Sequence, residues 1–151
     1  MNQVTIYDTT LRDGAQMEGI SLSLSDKMRI LHILDDLGMG IIEGGWPGAI
    51  PKDTEFFREA AKVSLKNARL AAFGSTCRAG AKAEEDPQVL ALRDSHAPII
   101  TLVAKSDPRH VADALRTTKE ENLRMVRDTV QFLSESAEVM VDLEHFFDGL
   151  A

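Results

Sequence analysis

Short apolar segments alternate with longer amphipathic segments along the chain. The short segments are too brief for helices and are apolar at successive positions, which is typical of strands buried on both faces. Strands of this kind form parallel sheets that are covered by helices, so the alternation predicts one α/β domain over residues 1–151. The predicted strands are VTIY (4–7), IIEGG (41–45), RLAAFG (69–74), PIITLVA (98–104) and VMVDL (139–143).

Four amphipathic segments separate the predicted strands and predict four helices. In the first, apolar residues recur at helical spacing and Gly38 marks the end. The fourth combines Thr118 with Glu121 in a capping-box pattern. Serine, threonine and aspartate side chains accept hydrogen bonds from the free N–H groups of a first helical turn. The residues expected to begin the four helices are therefore Ser25, Asp53, Asp86 and Thr118.

Charge and composition narrow the classes of partner. The formal net charge is -7 and the pI is near 5.0, so nucleic acid and acidic membranes would be repelled and small molecules are the expected ligands. No window approaches the roughly 20 apolar residues that span a bilayer, and the N-terminus has no basic leader, which predicts a cytoplasmic protein. The single cysteine, Cys77, excludes an internal disulfide and a cysteine-cluster zinc site, and we assign it no role.

Charged side chains gather where the predicted strands end. Because the carboxyl ends of parallel strands meet on one face of an α/β fold, where ligands bind, these side chains predict a site. They are Asp8, Arg12 and Asp13 after the first strand, Glu43 in the second, Lys105 after the fourth, and Glu144 with His145 after the fifth.

Each candidate group has a functional and a structural interpretation. Asp13 offers hard oxygen ligands for Mg²⁺, Mn²⁺ or Zn²⁺, and Arg12 offers a planar fork for a carboxylate or enolate oxygen, yet adjacent opposite charges also form solvated turns. Glu43 lies inside an apolar strand and must be paired or used, so its alternative is a buried ion pair with Arg12. No histidine pair has metal-ligand spacing, and His145 stays a candidate only because it adjoins Glu144.

Five motifs in order carry a family resemblance over nearly the whole chain. They are DTTLRDGAQ (8–16), IEGGWPG (42–48) with PKDTEFF (51–57), FGSTCRAG (73–80), TTKEENL (117–123) and DLEHFFDG (142–149). Together they resemble the citramalate synthases, acyltransferases of the group that also holds isopropylmalate synthases, homocitrate synthases and HMG-CoA lyases. The combination is specific, and EGGWPG with EHFFDG favours the citramalate branch.

The resemblance implies the N-terminal part of a pyruvate-carboxyltransferase-type (HMGL-like) TIM barrel. We expect a truncated, partial parallel (β/α) barrel with about five strands and four helices, since a full barrel needs about 250 residues. The implied reaction condenses acetyl-CoA with pyruvate to give (R)-citramalate for isoleucine biosynthesis, with a divalent metal ion (Mg, Mn or Zn). A homo-oligomer is expected.

The resemblance also implies roles for individual residues. Asp13 would bind the metal, Arg12 would polarise the keto oxygen of the substrate, and Gln16 would contact the substrate. Glu43 is similar to an acidic residue that helps to order the metal site, and Glu144 resembles the glutamate that is implicated in acid–base catalysis. The family's H-x-H metal pair belongs to a later strand, which this sequence does not contain.

Two alternatives stay open. One keeps the reaction class and changes the acceptor, as in isopropylmalate or homocitrate synthesis, or runs a lyase reaction. The other is an inactive half-barrel that associates with itself, because we expect the 151-residue chain alone to have no catalysis. In that half-barrel the side chains of Val4, Ile6, Ile99 and Val141 are expected to be exposed on the concave face of the sheet.

Overall fold

Five parallel strands form one curled sheet in the computed structural model, which describes residues 4–150. The strand order in space follows the order in the chain, as in a half of a (β/α) barrel. This arrangement confirms the predicted α/β class and partial barrel. The strands are β1 (Tyr7–Asp8), β2 (Ile41–Gly45), β3 (Arg69–Ser75), β4 (Ile99–Lys105) and β5 (Glu138–Glu144).

Residues 4–150 form six α-helices where about four were expected. The two additional helices, Pro108–Asp113 and Phe146–Gly149, are too short to produce an apolar repeat that sequence inspection would detect. The 3-10 turns lie at Gly14–Gln16 and Ala83–Glu85. The helices are α1 (Leu24–Asp36), α2 (Pro51–Ala60), α3 (Pro87–Asp94), α4 (Pro108–Asp113), α5 (Lys119–Leu133) and α6 (Phe146–Gly149).

Two of the four predicted helix starts are confirmed. Asp86 accepts a hydrogen bond from the N–H of Gln88, and Thr118 accepts one from Glu121. Helix α1 is capped by Ser23 and not by Ser25, because the Ser23 hydroxyl accepts the N–H of Asp26 while the Asp26 carboxylate accepts the N–H of Ser23, which completes a capping box there.

The expectation that Asp53 caps helix α2 is wrong. Pro51 is preorganised for the first helical position, so the helix begins two residues earlier and Asp53 falls inside its first turn. There its side chain is buried and pairs with Lys27 of α1, with 2.5 Å between Nζ and Oδ1. Asp53 is therefore a buried ion-pair partner.

The two faces of the sheet have different chemistry. Ile42, Ile100 and Leu102 lie in the apolar core with helix residues such as Phe56 and Leu92, and we call this the helix-covered face. Glu43 and Thr101 alternate with them and lie on the opposite face, which we call the open face. The open face is thus partly polar, as expected for the side of a barrel sheet that carries a site.

Of the four apolar residues that were expected to be exposed on the concave face, three are exposed. Val4 and Ile6 are 86% and 55% exposed. Ile99 is completely buried, which contradicts the expectation. Val141 is 38% exposed, but it pairs with Leu102 and so lies on the helix-covered face, not the concave one.

Asp35 at the end of α1 anchors the loop that leads into β3. Its carboxylate accepts backbone hydrogen bonds of 2.8 Å from Lys66, Asn67 and Ala68. Burial opposes ionisation, but these N–H donors outweigh burial and hold the pKa of Asp35 below its ordinary value.

We expect Asp35→Ala to lower the free energy of unfolding by about 3 kcal/mol in the complete gene product that carries this sequence, because buried N–H groups lose their acceptor. Thermal and denaturant unfolding measure the change. Since the pKa is lowered, the contribution is present above the unfolded pKa of about 3.9 and is lost as the pH falls through the folded value. Asp36→Ala, at the exposed neighbouring carboxylate, is the matched control. Equal stability of the two variants would contradict this anchoring role.

Candidate active site

The loop after β1 is wound tightly and directs Arg12 toward the open face. The carbonyl oxygen of Thr9 accepts N–H groups from Arg12, Asp13 and Gly14 at 3.1, 2.9 and 3.1 Å. Asp8 accepts from the N–H and the hydroxyl of Thr10 and so stabilises the turn itself. Of the charged residues after β1, Asp8 thus stabilises the turn and Arg12 extends toward the open face.

The guanidinium of Arg12 is held on three sides. Its Nε donates to Oε1 of Glu43, its Nη1 lies 3.1 Å from Oδ1 of Asp13, and its Cζ lies 4.0 Å from the centroid of the Phe73 ring. The side chain of Arg12 is 17% exposed. A guanidinium fixed in this way presents its remaining donors in one orientation, which suits recognition of a planar oxyanion.

Glu43 is a buried member of a network that crosses the open face. Its second oxygen, Oε2, accepts from the Tyr7 hydroxyl at 2.6 Å, and that hydroxyl lies 2.7 Å from Oγ1 of Thr101. Burial and the bond to Glu43 raise the pKa of Tyr7, so the phenol stays protonated and donates. The ion pair with Arg12 that the sequence left open is present. Glu43 therefore acts on the site through Arg12.

A cleft of about 700 Å³ opens at the carboxyl ends of β3, β4 and β5. Arg12, Gln16 and Glu144, three residues predicted for the site, line it together. Its apolar wall includes Trp46 and Phe73, whose rings pack edge to face with centroids 5.2 Å apart. The cleft thus combines charged donors and acceptors with an aromatic wall, as small-molecule sites do.

Lys105 lines the cleft, and the sequence analysis placed it among the charges at strand ends without assigning it a role. It ends β4 and pairs in register with Glu144 at the end of β5, and its Nζ forms an ion pair with Oε2 of Glu144. This hydrogen bond from Lys105 holds the pKa of Glu144 below its ordinary value. The sequence feature that indicates this pair is that Lys105 and Glu144 end neighbouring parallel strands, which places their side chains next to each other.

His145 lies next to the cleft without lining it. Its backbone is left-handed, with φ of 60°, and its ring packs against His110 with centroids 4.4 Å apart. Its Nδ1 lies 3.4 Å from Oδ2 of Asp148. The imidazole of His145 is thus engaged with His110 and Asp148.

The residues described do not complete a metal site. Asp13 lies beside Arg12 at the cleft margin with its side chain 64% exposed, and one of its oxygens already accepts from Arg12. Within residues 4–150, no three His, Cys, Asp or Glu side chains come together as metal ligands would. Asp13 is at most one ligand of a larger set, and the divalent metal stays a prediction.

Half of a (β/α) barrel with a charged cleft at the carboxyl ends of its strands places the chain in the class of (β/α)-barrel proteins, which carry their sites at this face. The family described as HMGL-like matches residues 3–148, and the chain belongs to this family. Within residues 4–150, no helix is long and apolar enough to cross a membrane.

Similar proteins agree with the family assignment. The (R)-citramalate synthase of Streptomyces coelicolor is 62% identical over 95% of this chain and 27% of that protein. The (R)-citramalate synthase of Aquifex aeolicus is 57% identical over 97% of this chain and 28% of its own length. A homocitrate synthase of Methanopyrus kandleri is 35% identical over 89% of this chain and 32% of that protein. The chain thus spans about a quarter to a third of these relatives.

A solved structure of similar fold is the hydroxymethylglutaryl-CoA lyase of Pseudomonas aeruginosa. It superposes with a TM-score of 0.70 at 18% identity and covers 92% of this chain and 45% of the lyase chain. This likeness concerns the fold, and it agrees with the partial barrel seen here.

Proposed function

We propose that this chain forms the acceptor-binding part of a citramalate synthase active site, which condenses acetyl-CoA with pyruvate to give (R)-citramalate. The observation that carries the proposal is the 62% identity to an (R)-citramalate synthase over 95% of the chain, against 35% for the homocitrate synthase. The arrangement of charged groups in the cleft supports the same chemistry.

Arg12 binds the 2-oxo acid in this proposal. Its free guanidinium donors point to oxygen atoms of the acceptor and stabilise the negative charge that forms on the keto oxygen as the carbonyl is attacked. Glu43 and Phe73 fix the guanidinium and so limit the reorganisation that the reaction requires. Gln16, also in the cleft wall, adds a neutral donor and acceptor for the same substrate.

Glu144 is the general acid–base catalyst in this proposal. Glu144 takes a proton from the acetyl methyl group, and the resulting enolate carbon bonds to the keto carbon of pyruvate while the keto oxygen takes up a proton to become the hydroxyl group. Water then cleaves the thioester to release CoA and the diacid. The hydrogen bond from Lys105 lowers the pKa of Glu144, so its carboxylate is in the ionised form that a general base requires. The proposal includes a divalent metal ion that Asp13 would help to hold and that would supply Lewis-acid polarisation of the keto oxygen.

The test is an acceptor panel on the complete gene product that carries this sequence. Acetyl-CoA is supplied with pyruvate, a branched 2-oxo acid or a 2-oxo dicarboxylic acid, free CoA is measured with a thiol reagent, and the product is identified by chiral chromatography. We expect pyruvate to give the highest kcat/KM. A preference for another acceptor would move the protein to the isopropylmalate or homocitrate reaction, and no CoA release with any acceptor would contradict the proposal.

We expect Lys105→Met to move the acid limb of the kcat/KM profile to higher pH. Without the ammonium group the pKa of Glu144 returns toward its ordinary value, so the carboxylate protonates at a higher pH and base catalysis fails earlier as the pH falls. The measurement is kcat/KM against pH. Lys105→Arg should retain the acid limb, and Lys82→Met, at an exposed lysine that pairs with Glu85, is the control. An unmoved acid limb in Lys105→Met would separate Lys105 from the acid–base step.

A further inference from the structure

A buried ion pair lies behind the aromatic wall of the cleft, outside the site described above. Lys27 is 3% exposed and Asp53 is 5% exposed, and neither lines the cleft. Removing two charges from water costs free energy that their attraction often fails to recover, so a buried pair of this kind is weak evidence for stability. Burial lowers the pKa of Lys27, and the bond to Asp53 opposes that shift. The pair therefore calls for another explanation.

Asp53 connects the ion pair to the backbone of the cleft wall. Its Oδ1 lies 2.5 Å from Nζ of Lys27, while its Oδ2 accepts the N–H of Trp46 at 2.8 Å. The preceding residue, Gly45, has φ of 146°, and a Cβ placed there would meet Oδ2 of Asp53 at 2.5 Å. Because only glycine lets the chain pass so closely over the carboxylate, the backbone at Trp46 is fixed by Asp53.

Contacts run from this backbone to the substrate-binding arginine. The Trp46 ring packs edge to face on Phe73, and the Phe73 ring supports the guanidinium of Arg12 at 4.0 Å. A displacement of Trp46 would thus shift the surface on which Arg12 rests. Small errors in the position of a binding group are costly in kcat/KM, up to about 100-fold for roughly 1 Å.

We propose that Asp53 is a positioning residue for the acceptor site: its carboxylate, whose charge Lys27 neutralises, holds the Trp46 backbone and thereby the aromatic wall under Arg12. The kinetic part of this inference rests on the proposed function, because it needs a measurable KM for the 2-oxo acid. The part that concerns Trp46 does not.

Two double variants of the complete gene product separate positioning from stability. Both remove the buried charges, but Lys27→Met with Asp53→Leu deletes the acceptor for the Trp46 N–H, whereas Lys27→Met with Asp53→Asn keeps an oxygen there. A fully apolar replacement of a buried ion pair is often neutral or stabilising, so the leucine variant is expected to fold. We expect the KM for pyruvate to rise about tenfold in the leucine variant and by less than about threefold in the asparagine variant. The KM for acetyl-CoA should stay unchanged in both variants, because the proposed displacement concerns the acceptor site. Partial unfolding would lower the active fraction without altering either KM, so a change in the pyruvate KM alone indicates positioning.

Tryptophan fluorescence provides a measurement that does not need activity. The emission of Trp46 is obtained by subtracting the emission spectrum of the same protein carrying Trp46→Phe from that of each protein. We expect its emission to shift to longer wavelength in the leucine variant and to stay in place in the asparagine variant. An unshifted Trp46 emission in the leucine variant would overturn the inference, and so would an unchanged pyruvate KM in an active enzyme. If the unmodified protein shows no condensation at all, the proposed function fails and the emission alone decides the positioning role.

Discussion

Arg12→Lys is expected to lower kcat/KM for the 2-oxo acid by about 10²- to 10³-fold, the usual effect of removing one preorganised donor to a developing oxyanion. Lysine can still pair with Glu43, so the buried carboxylate stays compensated and the fold is retained. The substitution removes the guanidinium N–H donors that extend beyond Glu43 into the cleft. The measurement is steady-state kinetics with pyruvate varied at saturating acetyl-CoA.

The matched control is Arg58→Lys, at an exposed arginine on α2, which should leave the kinetics unchanged. Arg12→Met would strand the Glu43 charge in the interior and cost roughly 3–5 kcal/mol of stability. Adding Glu43→Gln to it should restore folding but not activity. Activity of Arg12→Lys within threefold of the unmodified enzyme would remove Arg12 from the proposed chemistry.

The sheet could be predicted from sequence because its signal is local. Strands apolar on both faces and amphipathic helices are each legible within about ten residues, so β2 was predicted with its observed bounds and β3, β4 and β5 within one residue at each end. β1 is shorter than VTIY suggested, because only Tyr7 and Asp8 pair with β2, opposite Ile41 and Ile42. An apolar pattern indicates where a strand can form, whereas its length depends on the neighbour with which it pairs.

The site was only partly predictable because several of its contacts join distant residues. Tyr7 reaches Glu43 over 36 positions and Thr101 over 94, and no local pattern contains either distance. Asp53 illustrates the same limit, since an aspartate near a helix start resembles a cap until its partner, 26 residues away, is located. The charges at strand ends could be predicted to converge because parallel topology alone brings them together.

The 151-residue chain produced by itself is expected to associate with other copies and to show no condensation activity. β1 and β5 are the edges of the five-stranded sheet formed by residues 4–150, so each has a side without a strand partner. Large apolar side chains are exposed near both edges: Val4 and Ile6 before β1, Leu143 on β5, and Phe147 just after it at 84%. At roughly 25 cal/mol per Å², even a few hundred Å² of apolar surface amounts to several kcal/mol, comparable with the net stability of a domain.

Light scattering with size-exclusion chromatography measures the association, and the acetyl-CoA plus pyruvate assay measures the activity. A charge on an edge strand suppresses edge pairing, so Leu143→Lys together with Phe147→Lys should shift the chain toward monomer. Leu123→Lys, at a 68% exposed position on α5 away from both edges, adds the same kind of charge and should not. A soluble monomer that condenses acetyl-CoA with pyruvate would mean that five strands suffice for the reaction. In that case Arg12, Gln16 and Glu144 would form a complete cleft rather than a part of one.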